Sequence, residues 1–156
     1  MQVRRVVTGH DANGKAVVAI DELSTDVVPA RKGATFNNIW STKGFPVDNA
    51  TAADGAKEIT ATTREEGTVF RVIEFAPGVA PRNHRTSSID YAVVLSGQID
   101  MELDDETVHL QAGDVLVQRG TIHNWINRYD RPCVIAFVLI AARPVTTKGG
   151  PLAAVG

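Results

Sequence analysis

The stretch Gly78-Val-Ala-Pro-Arg-Asn-His84-Arg-Thr86-Ser-Ser-Ile-Asp90-Tyr-Ala-Val-Val-Leu-Ser-Gly97 combines two glycines with a histidine and a carboxylate at regular spacing. After fifteen further residues comes a second stretch, Gly113-Asp-Val-Leu-Val-Gln-Arg-Gly120-Thr-Ile-His123-Asn-Trp-Ile-Asn127. Glycine permits the backbone conformations of tight turns, and the segments between these glycines are rich in β-branched residues. Both stretches therefore predict short strands that end at turns and carry a few polar side chains.

Short β-branched segments occur along the rest of the chain. Residues 98–103 and 107–111 strictly alternate polar and apolar, which is typical of strands with one face in the core and one in water. His109 is on the polar face, so we expect it to be solvated. Evenly spaced short strands without a long helix indicate an all-β sandwich or barrel. Further strands are predicted at 3–7, 15–20, 35–41, 69–75, 91–95, 115–118, 122–127 and 133–141, and residues 21–34 are expected to form a loop.

Length and composition narrow the class of protein. A chain of 156 residues with a formal net charge of −2 is expected to form one domain. Its basic residues form no stripe, which argues against nucleic acid and membrane as partners. The longest apolar run, 134–142, is too short to cross a bilayer. Cys133 is the only cysteine, so an intrachain disulfide is impossible, and we expect a cytoplasmic protein.

The two glycine-bounded stretches resemble the paired motifs of the cupin superfamily over residues 67–141. The resemblance departs from the family pattern at Thr86, which replaces a histidine, at Asp90, which replaces a glutamate, and at Gln118, which replaces a proline. It implies a double-stranded β-helix, the jelly-roll barrel. We accordingly predict an N-terminal region at 1–66 that includes a β-hairpin extension, a barrel at 67–142, and a C-terminal tail at 143–156.

The resemblance also implies where a site would lie. His84, Asp90 and His123 occupy ligand positions of the motifs, and such a set suits a divalent transition metal such as Fe, Mn, Ni or Zn. Neutral imidazoles are needed, so affinity should fall as pH drops through roughly 6.5, the ordinary histidine pKa. Strand alternation places Thr86, Trp125 and Asn127 on the same side as the histidines, and Arg82 is close to His84 in sequence. We predict that these four residues bind substrate.

Two functions remain open from the sequence. One is a metal-dependent enzyme of dioxygenase, isomerase, decarboxylase or lyase type that acts on a small carboxylated or hydroxylated molecule. The other is a metal-free barrel that binds or senses a small molecule. Arg82 and Arg119 could each clamp a substrate carboxylate, or could be exposed turn residues. Exposed strand edges and the aromatic residues Trp40 and Tyr91 predict a homodimer, which cupins commonly form.

Overall fold

The computed structural model describes residues 1–51, 53–59 and 61–156. All regular elements among them are β-strands, and no helix occurs in these three ranges. It follows that no helix there could span a membrane. The thirteen strands are β1 (Arg4–His10), β2 (Ala16–Leu23), β3 (Val27–Arg31), β4 (Ala34–Thr42), β5 (Thr68–Phe75), β6 (Ser88–Ser96), β7 (Gln98–Glu102), β8 (Thr107–Gln111), β9 (Val115–Arg119), β10 (Asn124–Ile126), β11 (Cys133–Ala141), β12 (Thr146–Thr147) and β13 (Gly150–Pro151).

Two sheets form the barrel. The larger has six strands in the order β3-β4-β5-β11-β6-β9, and the smaller has three in the order β10-β7-β8. All neighbouring strands in both sheets are antiparallel. The all-β jelly-roll prediction is therefore confirmed, and so is the N-terminal extension, because β1 and β2 pair as a separate hairpin.

Arg5 on β1 connects the β1–β2 hairpin to the rest of the chain by hydrogen bonds. Its guanidinium is almost fully buried and donates to both carboxylate oxygens of Asp54, at 2.6 and 2.9 Å. A third bond, of 2.5 Å, reaches Glu22 on β2. The loop between β4 and β5 therefore binds the hairpin through charge-assisted hydrogen bonds, which are stronger than neutral ones.

The expected loop at 21–34 is wrong in part, because β3 lies within it and pairs with β4. Only five residues long, β3 depends on this pairing, and a short edge strand gives a weak sequence pattern. The C-terminal tail also pairs within the chain. Val155 and Arg85 exchange two backbone hydrogen bonds of 3.0 Å, which places the last residues beside the first glycine-bounded stretch.

Inward-facing side chains of both sheets make one hydrophobic core. Alternate residues of β5 and β11 point into it, and Phe75, Ile135 and Cys133 are almost completely buried. Ile99 and Met101 from β7 pack against them from the smaller sheet. At one end of the barrel, the inward-facing positions of the strands hold polar residues instead of apolar ones.

Candidate functional site

A cavity of about 40 Å³ opens at that end of the barrel. One part of its wall is apolar or aromatic and is made by Phe36, Ile73, Phe75, Trp125, Phe137 and Leu139. The other part is polar and is made by Arg31, Thr62, Arg71, Arg82, His84, Asp90, Gln118 and His123. A space of this size holds roughly three water molecules.

His84 and His123 face each other in the cavity wall. Their backbones exchange two hydrogen bonds of 3.0 Å, and their ring centroids lie 4.2 Å apart. In each ring Nδ1 lies 3.0 Å from a backbone carbonyl oxygen, that of Arg82 for His84 and that of Thr121 for His123. A carbonyl oxygen only accepts, so each Nδ1 carries a proton and each Nε2 keeps its lone pair.

Burial keeps both imidazoles neutral near pH 7. It lowers the pKa of His84, and the charges of Arg82 and Arg31 lower it further. Burial together with the proximity of His84 lowers the pKa of His123 to about 4. Two neutral imidazoles with available Nε2 atoms can accept protons from a substrate or bind a metal ion.

Asp90 is the carboxylate of the cavity, and burial raises its pKa to about 6. Its Oδ1 accepts a 2.6 Å hydrogen bond from Ser88, which opposes that rise. The Ser88 hydroxyl has its proton engaged with Asp90, so it accepts from Thr86 at 2.8 Å. Thr86 lies outside the cavity lining and is connected to Asp90 through Ser88.

Comparison with known proteins identifies the family. The family model for the cupin domain matches residues 71–140. The cupin-domain-containing oxidoreductase fogC of Aspergillus ruber is 37% identical over an alignment that covers 95% of this chain and 77% of that protein. This chain belongs to the cupin family.

Other cupins agree with this assignment. The cupin-domain-containing oxidoreductase virC of Hypocrea virens is 35% identical, over 90% of this chain and 77% of that protein. The solved structure of the polyketide cyclase RemF from Streptomyces resistomycificus superimposes with a TM-score of 0.52, over 78% of this chain and 79% of that one. It is 19% identical to this chain, so it supports the fold alone.

Members of the cupin family often bind a transition metal, and the residues at the motif positions meet this requirement in part. The two histidines come together with their Nε2 atoms available. Among the described residues, however, no three His, Cys, Asp or Glu side chains form a group that could hold a metal ion. Asp90 lines the same cavity but makes its hydrogen bond to Ser88. The three-residue metal site stays a prediction.

Trp125 and Asn127 lie two residues apart in the second cupin motif, but their side chains have different contacts. Trp125 lines the cavity and packs against Phe75 and Phe137, at centroid distances of 5.8 and 5.7 Å. Asn127 lies outside the cavity lining. Its Nδ2 donates to the carbonyl oxygens of Phe75 and Arg131, and its Oδ1 accepts from the backbone of Tyr129. In the structure Asn127 thus connects loops, and both N–H groups of its amide are already donated to backbone carbonyls. Its predicted contact with substrate stays a prediction.

Three arginines border the cavity, and sequence reasoning identified only Arg82. Arg119 is exposed and lies outside the lining. Arg71 shares the inward face of β5 with Val69, Ile73 and Phe75, so strict alternation along that strand could have revealed it. Arg31 lies on β3, which the sequence did not predict.

Proposed function

We propose that this cupin is an oxidoreductase whose substrate is a small organic molecule bound in the barrel cavity. The observation that carries the proposal is the His84–His123 pair, two buried, neutral imidazoles whose ring centroids lie 4.2 Å apart in the cavity wall. The names of the relatives fogC and virC, each a cupin-domain-containing oxidoreductase, support the reaction class.

The proposed roles follow from the hydrogen bonds of the site. His123, held by the Thr121 carbonyl, accepts a hydrogen bond at Nε2 from the substrate, because its pKa of about 4 keeps it neutral at pH 7. Asp90, with a pKa near 6, exchanges protons at nearly neutral pH. Trp125 and the surrounding aromatic rings exclude water and position the apolar part of the substrate.

A divalent transition metal, Fe, Mn, Ni or Zn, remains part of the proposal. His84 and His123 would supply imidazole ligands, and Asp90 would supply the carboxylate. A metal bound there would supply Lewis acidity and open coordination positions. The alternative is a metal-free binding or sensing barrel, which is favoured by the absence of a three-ligand group among the described residues.

We also propose that the protein is a homodimer. The outer face of β6 and β9 presents Tyr91, Val93, Val115 and Val117, which are between 41% and 75% exposed. Tyr91 pairs with Val117 and Val93 with Val115 across the two strands, so these side chains form one apolar patch. Strand β9 is at the edge of its sheet, and a second copy could cover both the patch and the edge.

The reaction class can be tested with a panel of small hydroxy and keto acids. Purified protein is incubated with each acid in air, with and without added Fe(II), Mn(II), Ni(II) or Zn(II). Dioxygen uptake and product mass are then followed. We expect at least one acid to lose two hydrogen atoms or gain oxygen, and the His123→Ala variant to lose this turnover. Arg119→Gln, at an exposed position next to Gln118, should retain it. Turnover that survives in His123→Ala would refute the role of the histidine pair.

A further inference from the structure

Positive charge exceeds negative charge around the barrel cavity. Arg31, Arg71 and Arg82 line it, and Asp90 is the one carboxylate in the described lining. Every Arg–carboxylate ion pair of the described residues involves other arginines. Even with Asp90 ionised, guanidinium groups outnumber carboxylates by two. The cavity is therefore electropositive, although the chain as a whole carries a formal net charge of −2.

Arg71 is held in place by neutral partners only. It is 4% exposed, and its Nε and Nη2 donate to Asn38 Oδ1 at 3.2 Å and to the Ala61 carbonyl at 2.7 Å. Its Cζ lies 5.1 Å from the centroid of the Phe36 ring. Burial lowers the pKa of Arg71 to about 10, which still leaves it protonated at neutral pH. The charge of Asp26 partly opposes this lowering of the pKa, but Asp26 forms no ion pair with Arg71 among the described residues. A buried cation that lacks an ion-pair partner is costly, so a fixed charge of this kind suits a site whose anion arrives with the ligand.

Two buried polar atoms on this cavity have no hydrogen-bond partner among the described residues. They are Nη2 of Arg31 and Oε1 of Gln118. Arg31 is positioned by a 2.7 Å bond from its Nε to the Ala80 carbonyl and lies over the ring of Phe75. Buried polar groups are almost always hydrogen-bonded in folded proteins, so the unpartnered Nη2 donor of Arg31 points to a ligand that supplies an acceptor. Oε1 of Gln118 only accepts, so a donor elsewhere on the ligand, and not its carboxylate, would complete it.

We propose that the cavity binds a carboxylate carried on an apolar body, with the guanidinium groups of Arg31 and Arg71 as its counter-ions. The planar fork of a guanidinium matches the two oxygens of a carboxylate, and aromatic walls suit an apolar body. The space of about 40 Å³ accommodates the carboxylate end, while the rest of a larger molecule extends through the opening. This inference names the substrate class of the proposed oxidoreductase and rests on that function.

Binding is tested without turnover, by calorimetric titration of the full chain. The probes are acetate, butyrate and benzoate, each compared with its neutral amide, together with inorganic phosphate. We expect at least one acid to bind roughly tenfold or more tightly than its amide, because a charge-assisted pair is lost in the amide. Equal binding of acid and amide, no binding of any acid, or tighter binding of phosphate would each overturn the proposal.

Variants locate the site and separate the two proposals. Arg31→Gln and Arg71→Gln should each weaken binding of the acid about tenfold, whereas the exposed control Arg119→Gln should bind as the parent does. If Arg71→Gln fails to fold, Arg31→Gln and Arg71→Lys still test the site. The lysine keeps the positive charge but loses the planar guanidinium that matches the two oxygens of a carboxylate. Parent-like affinity in Arg31→Gln overturns the site. His123→Ala should lose turnover yet still bind the acid more tightly than its amide. If the parent protein oxidises no acid but binds acids more tightly than amides, only the reaction class is refuted.

Discussion

Replacing Asp90 with asparagine tests how much the ionised carboxylate in the cavity destabilises the folded protein. Asp90 is 5% exposed, and burial raises its pKa from 3.8 to about 6. The folded protein therefore holds this proton more tightly than the unfolded chain does. The protonated carboxyl contributes its full stability below pH 4, and this contribution is lost as pH rises through about 6. Since one pKa unit corresponds to about 1.36 kcal/mol, ionisation should cost about 3 kcal/mol at pH 8.

Asparagine removes the ionisation but keeps an oxygen that can accept from Ser88. The free energy of unfolding of Asp90→Asn relative to the parent should therefore rise by about 2.4 kcal/mol between pH 4 and pH 8, because at pH 4 the unfolded carboxyl is already partly ionised. Any constant cost of the new amide N–H groups cancels in this comparison. Urea unfolding at both pH values, followed by tryptophan fluorescence in the presence of a chelator, measures it. The exposed Asp105→Asn variant is the control.

Two results would contradict this reasoning. A difference between variant and parent that does not change with pH would mean that Asp90 titrates as it does in the unfolded chain. A parent that gains stability over the variant at pH 8 would mean that a nearby guanidinium stabilises the ionised carboxylate more than burial penalises it. The second result would also reduce the positive charge available to a ligand carboxylate.

Three further predictions concern the metal, the dimer and the hairpin. Calorimetry with Fe(II), Mn(II), Ni(II) and Zn(II) should detect binding that His84→Ala and His123→Ala each abolish, and failure of all four metals to bind the parent would refute the metal site. Affinity should fall as pH drops through about 6, because Asp90 must be ionised to bind a metal, whereas the two imidazoles stay neutral to lower pH since burial lowers both histidine pKa values. Val117→Glu should yield a monomer by light scattering, whereas a monomeric parent would refute the dimer. Arg5→Met should lower the free energy of unfolding by about 2 kcal/mol in urea titrations because it leaves Asp54 unpaired, and an unchanged value would show that the ion pair contributes nothing.

Much of the barrel could be predicted from the sequence because its signals are local. A strand that lies half in the core alternates by itself, as residues 98–103 do, and glycines mark the turns. The spacing of His84 and His123 within their motifs was also informative, since both line one cavity. The edge strand β3 was missed because its short segment gains order from pairing with β4, a contact that its own residues do not encode.

The charge, the pKa values and the contacts of the site residues depend on the tertiary structure. Arg31 and Arg71 are 40 positions apart in the chain, on β3 and β5, and reach one cavity only because β4 lies between those strands. Asn127 has the residue type expected of a substrate contact, but its amide is occupied by backbone groups from two loops. Sequence alone determined that histidines and a carboxylate would face the inside of a β-barrel. Their pKa values and the surplus of positive charge depend on burial and on distances between strands, which only the folded chain sets.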